Sequence, residues 1–316
     1  MKTLPPLAPL SARPLVSIVV PSYNQGAFIR QTIESCLAQD YRPIEIVVVD
    51  GASADGTVDV LRSFADRSEV RWTSEPDAGV VDAVNKGLGR VRGEICGIQS
   101  SDDAYLPGAF AQAVAAFAQR PDVALVYADA VKTDAAGREL ARWRTGPFSI
   151  ENFLSKQTVV LQPAAFFRRS AFEEVGGWSS AYFNADTECW LRMILRRPAL
   201  KVDAFWGSRR MHEAQRDRQR ERIIESYGRM TRDNPDIRNG PARWRRAARC
   251  GRLLHALRYA PDDLPPWKRK WLLLQAVVAW PPAWKSADLP GQVVPGWRAL
   301  RRRWMEWSRR RDERAA

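Results

Sequence analysis

Ile98-Gln99-Ser100-Ser101-Asp102-Asp103 is the stretch on which the reading of this chain turns. The run from Val91 to Ile98 reads as a strand, and Pro107-Gly108 just beyond the acidic pair opens a helix. A strand that closes in two hydroxyls and two adjacent carboxylates, then passes into a helix, fits an α/β sheet, whose carboxyl strand ends line the crevice where ligands bind. Neighbouring carboxylates repel one another unless a cation or a polyhydroxyl ligand lies between them. Oxygen-rich sites of this kind select Mg2+ or Mn2+, ions that also hold phosphate oxygens. A solvated Asp-Asp turn at a helix start is the alternative, and the pair alone does not decide between the two.

The same pattern recurs upstream. Val16-Ser17-Ile18-Val19-Val20, closed by Pro21, reads as a buried strand, followed by the turn Ser22-Tyr23-Asn24-Gln25-Gly26 and a helix carrying Phe28, Ile29, Ile33, Cys36 and Leu37. Ile44 to Val49 is a second strand and ends at Asp50-Gly51-Ala52-Ser53-Ala54-Asp55-Gly56-Thr57. Val70-Arg71-Trp72-Thr73 is a third and ends in Glu75-Pro76-Asp77-Ala78-Gly79, before a helix through Val80, Val84 and Leu88. Such alternation predicts a mostly parallel sheet with helices on both faces. Asp50, Asp77, Asp102 and Asp103 then share one edge of it. Neither G-x-G-x-x-G nor G-x-x-x-x-G-K-[ST] is present, so the usual glycine-rich phosphate cradles are missing. A cation held by carboxylates is the natural substitute.

Downstream, Val123 to Tyr127 predicts a strand, Asp134-Ala135-Ala136-Gly137 a hairpin turn, and Gln162 to Arg169 a further strand. Ser170 to Val175 reads as a short helix ended by Gly176-Gly177. A helix begins at Ala185 with Asp186 in its first turn, where a carboxylate can serve simply as a cap. His212 follows the predicted strand Val202 to Trp206.

Together these stretches resemble glycosyltransferase family 2, over residues 15–212. Val19-Val20-Pro21-Ser22-Tyr23-Asn24 is similar to the family's opening strand, and residues 50–57 match its D-[DG]-x-S-x-D-G-T turn. Ser74-Glu75-Pro76-Asp77-Ala78-Gly79 with Asp82-Ala83-Val84-Asn85-Lys86-Gly87 matches a subgroup signature. Ser101-Asp102-Asp103 stands at the D-x-D-like motif, and Gly176-Gly177-Trp178 followed by Asp186 at the acceptor segment. The chain departs from the pattern at Gly51, at Ala185 where a glutamate often precedes the base, and at Gln99-Ser100 in place of Leu-Asn.

The resemblance implies a GT-A fold, Rossmann-like with a mostly parallel central sheet flanked by helices. It implies an inverting, metal-dependent transfer from a nucleotide-diphosphate sugar, a UDP-sugar being the expected donor, to a hydroxyl of a glycan or lipid-linked acceptor in cell-surface polysaccharide synthesis. Pro21, Tyr23, Asn24, Asp50, Asp77, Lys86 and Asp102 are then expected to bind the nucleotide sugar, Asp103 and His212 to ligate Mn2+ or Mg2+, and Asp186 to act as base. Lys86 can equally be a helix C-terminal cation, and His212 a loop histidine. A nucleotidyltransferase and a non-catalytic membrane- or carbohydrate-binding protein are the alternative functions. The first would want a basic glycine-rich loop after the opening strand, which Pro21 to Gly26 is not, and the intact acidic set argues against the second.

The rest of the composition concerns the tail. Of the chain's net charge of +13, residues 205–316 carry 27 Lys and Arg against 12 Asp and Glu, while residues 1–204 carry 22 against 24. Eight of the 13 tryptophans, Trp244, Trp267, Trp271, Trp280, Trp284, Trp297, Trp304 and Trp307, lie in the tail, beside Lys268-Arg269-Lys270 and Arg301-Arg302-Arg303. We expect a short extended lead-in over 1–14 and a helical, basic, Trp-rich extension over 213–316. Cationic helices bearing Trp suit an anionic membrane surface, so the expected place is cytoplasmic and peripheral on the inner face. A basic subdomain packing its tryptophans inward is the alternative. Trp-rich helices broken by Pro-Pro resemble no nucleic-acid reader, so no nucleic-acid partner is expected. The four separated cysteines read as buried thiols, and neither a secretory signal nor a run of spanning length is visible.

Overall fold

The computed structural model describes residues 5–212, 219–261 and 263–285. The elements in chain order are β1 (Val16–Ser22), α1 (Ile29–Leu37), β2 (Ile44–Asp50), α2 (Thr57–Arg62), β3 (Val70–Ser74), α3 (Val80–Leu88), β4 (Ile95–Ile98), β5 (Ala104–Tyr105), α4 (Ala109–Gln119), β6 (Leu125–Thr133), β7 (Glu139–Trp143), α5 (Ile150–Leu154), β8 (Ala165–Arg168), α6 (Arg169–Val175), α7 (Ala185–Ile194), β9 (Ala199–Arg210), α8 (Arg220–Asp233), α9 (Pro235–Asn239), α10 (Ala242–Arg258) and α11 (Pro266–Ala279). They form two compact units, Met1–Thr145 with Val160–Arg216, and Gly146–Val159 with Asp217–Ala316.

The first unit is built on one sheet in the order β3-β2-β1-β4-β8-β6-β9-β5, with β7 paired to β6. Every residue of β1 and β2 is buried, which explains their unbroken Val/Ile character: a central parallel strand has a covered face on both sides. The β3-β2-β1-β4 half is parallel, as the strand–helix alternation predicts. Beyond it the sheet is mixed: β8 runs antiparallel to β4 and β6, and β9 runs parallel to β6 but antiparallel to β5. Parallel β2, β1 and β4 place their carboxyl ends on one edge, which gathers the acidic turns.

Three local expectations change. Residues 91–94 are not strand; Gly93 N–H donates to Ser17 Oγ at 2.8 Å and the Arg92 N–H to Glu45 Oε1 at 2.5 Å, so this segment wraps a buried carboxylate before β4 begins. Gln162–Ala164 is a short 3-10 turn, since Pro163 has no N–H for a ladder, and only Ala165–Arg168 is strand. The first strand continues through Pro21 to Ser22. The hairpin turn after β6 forms as read, with Asp134 N–H donating to Arg138 O.

The second unit is helical. Its inserted piece 146–159 belongs with the tail: Tyr227 Oη donates to Leu154 O at 2.7 Å, and Arg243 and Trp244 Nε1 both reach Glu151. α10 passes so close to α5 that a Cβ on Gly251 would stand 2.0 Å from Leu154 O. Cys250, Leu257, Leu273, Ala276, Ala279 and Ala283 make its core. α8, though rich in charge, turns one face inward: Ile223, Tyr227 and Met230, at helical spacing, are buried. The four cysteines are buried and unbridged. Among the described residues no helix is long and apolar enough to cross a membrane. Trp297, Trp304, Trp307 and Arg301-Arg302-Arg303, together with the Trp284 side chain, lie outside the described residues.

Candidate active site

At the end of β2, Asp50 is wholly buried. Its Oδ2 accepts from Ser53 N–H at 2.9 Å and Ser74 Oγ at 2.7 Å, and its Oδ1 from Ser53 Oγ at 2.5 Å. The carboxylate thus folds the turn over 50–57 and joins it to β3. Asn24 latches the turn after β1 onto the same place: its N–H donates to Ser53 Oγ at 2.7 Å and its Oδ1 accepts from Ala54 N–H at 3.0 Å. Asp55 completes the latch through Gly26 N–H at 2.9 Å. Burial would raise the Asp55 pKa, but hydrogen bonds from Thr57 and Gly26 outweigh it and hold the carboxyl below its ordinary value. Asp77 lies against this turn, for a Cβ on Gly51 would come within 2.9 Å of its Oδ2; glycine at 51 makes room for it. Pro21 is buried beneath, and Tyr23 projects into solvent. Lys86, in the last turn of α3, pairs with Asp82 at 2.9 Å and stands 4.0 Å from Glu75. The Asp82 hydrogen bond raises its pKa.

A second cluster forms after β4. Asp102 Oδ2 meets His212 Nε2 at 2.8 Å. The His212 ring packs on Phe28 at 5.1 Å between centroids, and the Arg210 guanidinium covers Phe28 from 4.8 Å. Arg210 is a latch that sequence reasoning passed over: its N–H donates to Asp103 Oδ1 at 2.9 Å, its Nε to Asp102 O at 2.9 Å, and its Nη2 to Gln31 Oε1. Asp103 is therefore turned inward, 6% exposed, and burial followed by the Asp102 charge holds its carboxyl well above the ordinary range. Thr32 Oγ1 ties the carbonyls of Ser101 and Asp103 to α1. The carboxylate that faces His212 is Asp102 rather than Asp103. Ser100 Oγ donates to Gln162 Oε1 at 3.2 Å, a contact to the 3-10 turn that nothing local to either residue announces.

Asp186 sits half-buried in the first turn of α7, where Asn184, not Asp186, is the N-cap. The loop before it is held from two sides. Arg192 donates to Gly177 O at 2.6 Å, to Val175 O, and to Glu188 at 2.7 Å. Asn85 of α3 clasps Trp178 through both backbone groups, each at 2.9 Å. The helix that carries Lys86 is thus bolted to the loop that leads to Asp186.

Could this edge hold a divalent ion? Among the described residues no three His, Cys, Asp or Glu converge as a full ligand set. Asp102 and His212 nonetheless suit an open site, in which Mg2+ or Mn2+ takes few protein ligands and fills its shell with substrate phosphate and water. The pair is joined here by a 2.8 Å hydrogen bond, and a carboxylate with an imidazole is a donor set that fits such an ion. A separate cavity of about 620 Å³, lined by residues such as Gln31, Ser35, Tyr105 and Phe205, contains none of the predicted site residues.

A model of glycosyl transferase family 2 matches residues 17–176; Asp186 and His212 lie past that range. An uncharacterised glycosyltransferase of Mycobacterium tuberculosis is 33% identical over 189 residues, 59% of this chain and 71% of the relative. The O-antigen biosynthesis protein RfbC of Myxococcus xanthus is 31% identical over 183 residues, 57% of this chain but 14% of that protein. Among solved structures, S. aureus TarS in complex with UDP-GlcNAc superposes with a TM-score of 0.64 at 15% identity, covering 88% of this chain and 82% of TarS. The Pyrobaculum calidifontis mannosyltransferase PcManGT, in complex with GDP-Man and Mn2+, gives 0.61 at 23% identity, covering 95% and 86%. The architecture is the GT-A fold that the motifs imply.

Proposed function

Because the chain belongs to glycosyl transferase family 2 and is accordingly a transferase, we propose that it moves a sugar, with inversion, from a nucleotide-diphosphate donor to a hydroxyl of a glycan or lipid-linked acceptor in polysaccharide or glycolipid synthesis. The observation that carries this reading is the Asp102–His212 pair at 2.8 Å, set on the strand-end edge beside the latched turns of Asp50 and Asp77. A UDP-sugar is the proposed donor. Two of the fold's neighbours were solved with UDP-GlcNAc and with GDP-Man plus Mn2+, which supports a sugar nucleotide and a divalent ion here.

Asp77, with its carboxylate at the surface of the 50–57 turn, accepts hydrogen bonds from the base or ribose end. Asp50 acts by shaping that turn, and Pro21, Tyr23 and Asn24 line it. Asp102 and His212 hold Mn2+ or Mg2+, while buried Asp103 positions Asp102 through Arg210. When bound, the ion supplies neutralisation for the departing diphosphate. Asp186 accepts the proton of the acceptor hydroxyl and so makes it the nucleophile of one in-line displacement. The catalytic part is residues 15–212; the basic extension 213–316 places the enzyme peripherally at the cytoplasmic membrane face.

Asp186→Asn tests the assignment. Transfer should fall by roughly 10²–10⁴-fold while calorimetric donor binding stays at the wild-type value. Transfer at the wild-type rate would remove Asp186 from the mechanism.

A further inference from the structure

Among the described residues, the helical unit sorts its tryptophans into two kinds. Trp244 is buried, with its Nε1 on Glu151 at 3.1 Å, and Trp280 Nε1 donates to the Gln157 amide oxygen at 3.0 Å. Trp267 and Trp271 are 65% and 55% exposed, and Leu274 and Val278 continue them at 53% and 67%. At about 100° per residue these four positions fall within roughly 60° of arc on α11. The opposite side of the helix is also apolar: Leu273, Ala276 and Ala279 pack into the unit's core. A helix held by one face in a soluble unit has its charged residues on the other. α11 has an apolar stripe there instead, flanked by exposed Lys268 and Lys270, with no acidic residue anywhere in the helix. Lys268 Nζ stands 5.5 Å from the Trp267 ring centroid.

We infer that the Trp267-Trp271-Leu274-Val278 face of α11 is a docking surface for an anionic lipid bilayer. Charge complementarity selects that occupant. The helix is purely cationic: exposed Lys268 and Lys270 border the stripe, and no carboxylate in α11 offsets them. Trp and Lys side by side match the headgroup level, where an indole ring is part apolar and part polar and the ammonium meets lipid phosphate. The helix lies on the bilayer, since none of the described helices is long and apolar enough to span one. The inference rests on the membrane-peripheral reading above and says nothing about which sugar is moved.

Flotation of the full-length protein with vesicles tests it, comparing phosphatidylcholine alone with phosphatidylcholine plus phosphatidylglycerol. The wild type should float with the anionic vesicles only. The Trp267→Ala/Trp271→Ala pair should lose at least about tenfold in affinity, and each of Lys268→Ala and Lys270→Ala roughly fivefold. Val278→Glu, at the far end of the stripe, gives an independent reading should the tryptophan pair unfold. Donor turnover with a soluble acceptor should be unchanged in every variant that keeps the wild-type melting temperature, so this test can fail or succeed whatever becomes of the transferase assignment. Equal flotation of the folded variants overturns the inference. So does equal binding to neutral vesicles, a dimer that these substitutions convert to monomer, or binding to DNA in place of vesicles.

Discussion

At the scale of single residues, the strand-end edge stores local strain. Asn24 at φ 52° and Ala52 at φ 60° occupy the left-handed region within the two turns that latch together. For an L side chain this conformation costs roughly 1–2 kcal/mol. Ala52→Gly should therefore raise stability by about 1 kcal/mol in urea unfolding; a loss of stability would show that the Ala52 methyl is a needed contact. The sequence allowed the acidic turns to be grouped, because each closes a strand of a parallel sheet; His212 joined them only through the family resemblance. It did not tell which of two adjacent carboxylates turns inward. That choice is made by the Arg210 N–H, 107 residues away, and by burial against α1. Asn85 likewise stands in a signature that does not reveal its partner, while its amide binds Trp178, 93 residues on. Asn85→Ala should lower kcat by at least about tenfold with little change in donor affinity, because it frees the loop before Asp186; an unchanged kcat would make Asn85 purely structural.

Among elements, continuous β-branched runs were readable as strands because burial on both faces leaves no other composition available. The segment 91–94 and the turn Gln162–Ala164 were not, since the first spends its N–H groups on Glu45 and Ser17 and the second contains Pro163. β8 anchors an aromatic cluster: Phe166 meets Tyr105 at 5.3 Å, Phe110 at 5.5 Å and Trp206 at 5.7 Å. Phe166→Ala should cost about 3–5 kcal/mol. In α10, His255 stands between Tyr227 and Tyr259, 4.7 and 4.9 Å away, its Nε2 without a hydrogen-bond partner among the described residues. Burial, then the charges of Lys156 and Arg258, lower its pKa from 6.5 to about 2. The folded unit therefore keeps His255 neutral while the unfolded chain protonates it near its ordinary value, so its contribution to stability is present above that value and is lost as pH falls below it. Between pH 7 and pH 5 this group should account for about 2 kcal/mol of destabilisation, and His255→Gln should shrink the measured difference by that amount. An unaltered pH dependence would mean that His255 titrates normally.

Over the whole molecule, the charge division was plain from composition, but the boundary between units was not. Residues 146–159 join helices that begin more than sixty residues later, and no local signal marks such an insertion. The two units divide the charge: carboxylates gather at the strand-end edge of the first, where the proposed cation and diphosphate would sit, and cations mark α11 of the second, the proposed lipid face. The first of these is the heart of the account, and calorimetric titration of nucleotide sugars, with Mn2+ or with a chelator present, measures it most directly. Binding should require the ion and weaken by at least about tenfold in Asp102→Asn and His212→Ala, with the melting temperature unchanged. Equal affinity in chelator, or wild-type affinity in both variants, would contradict it.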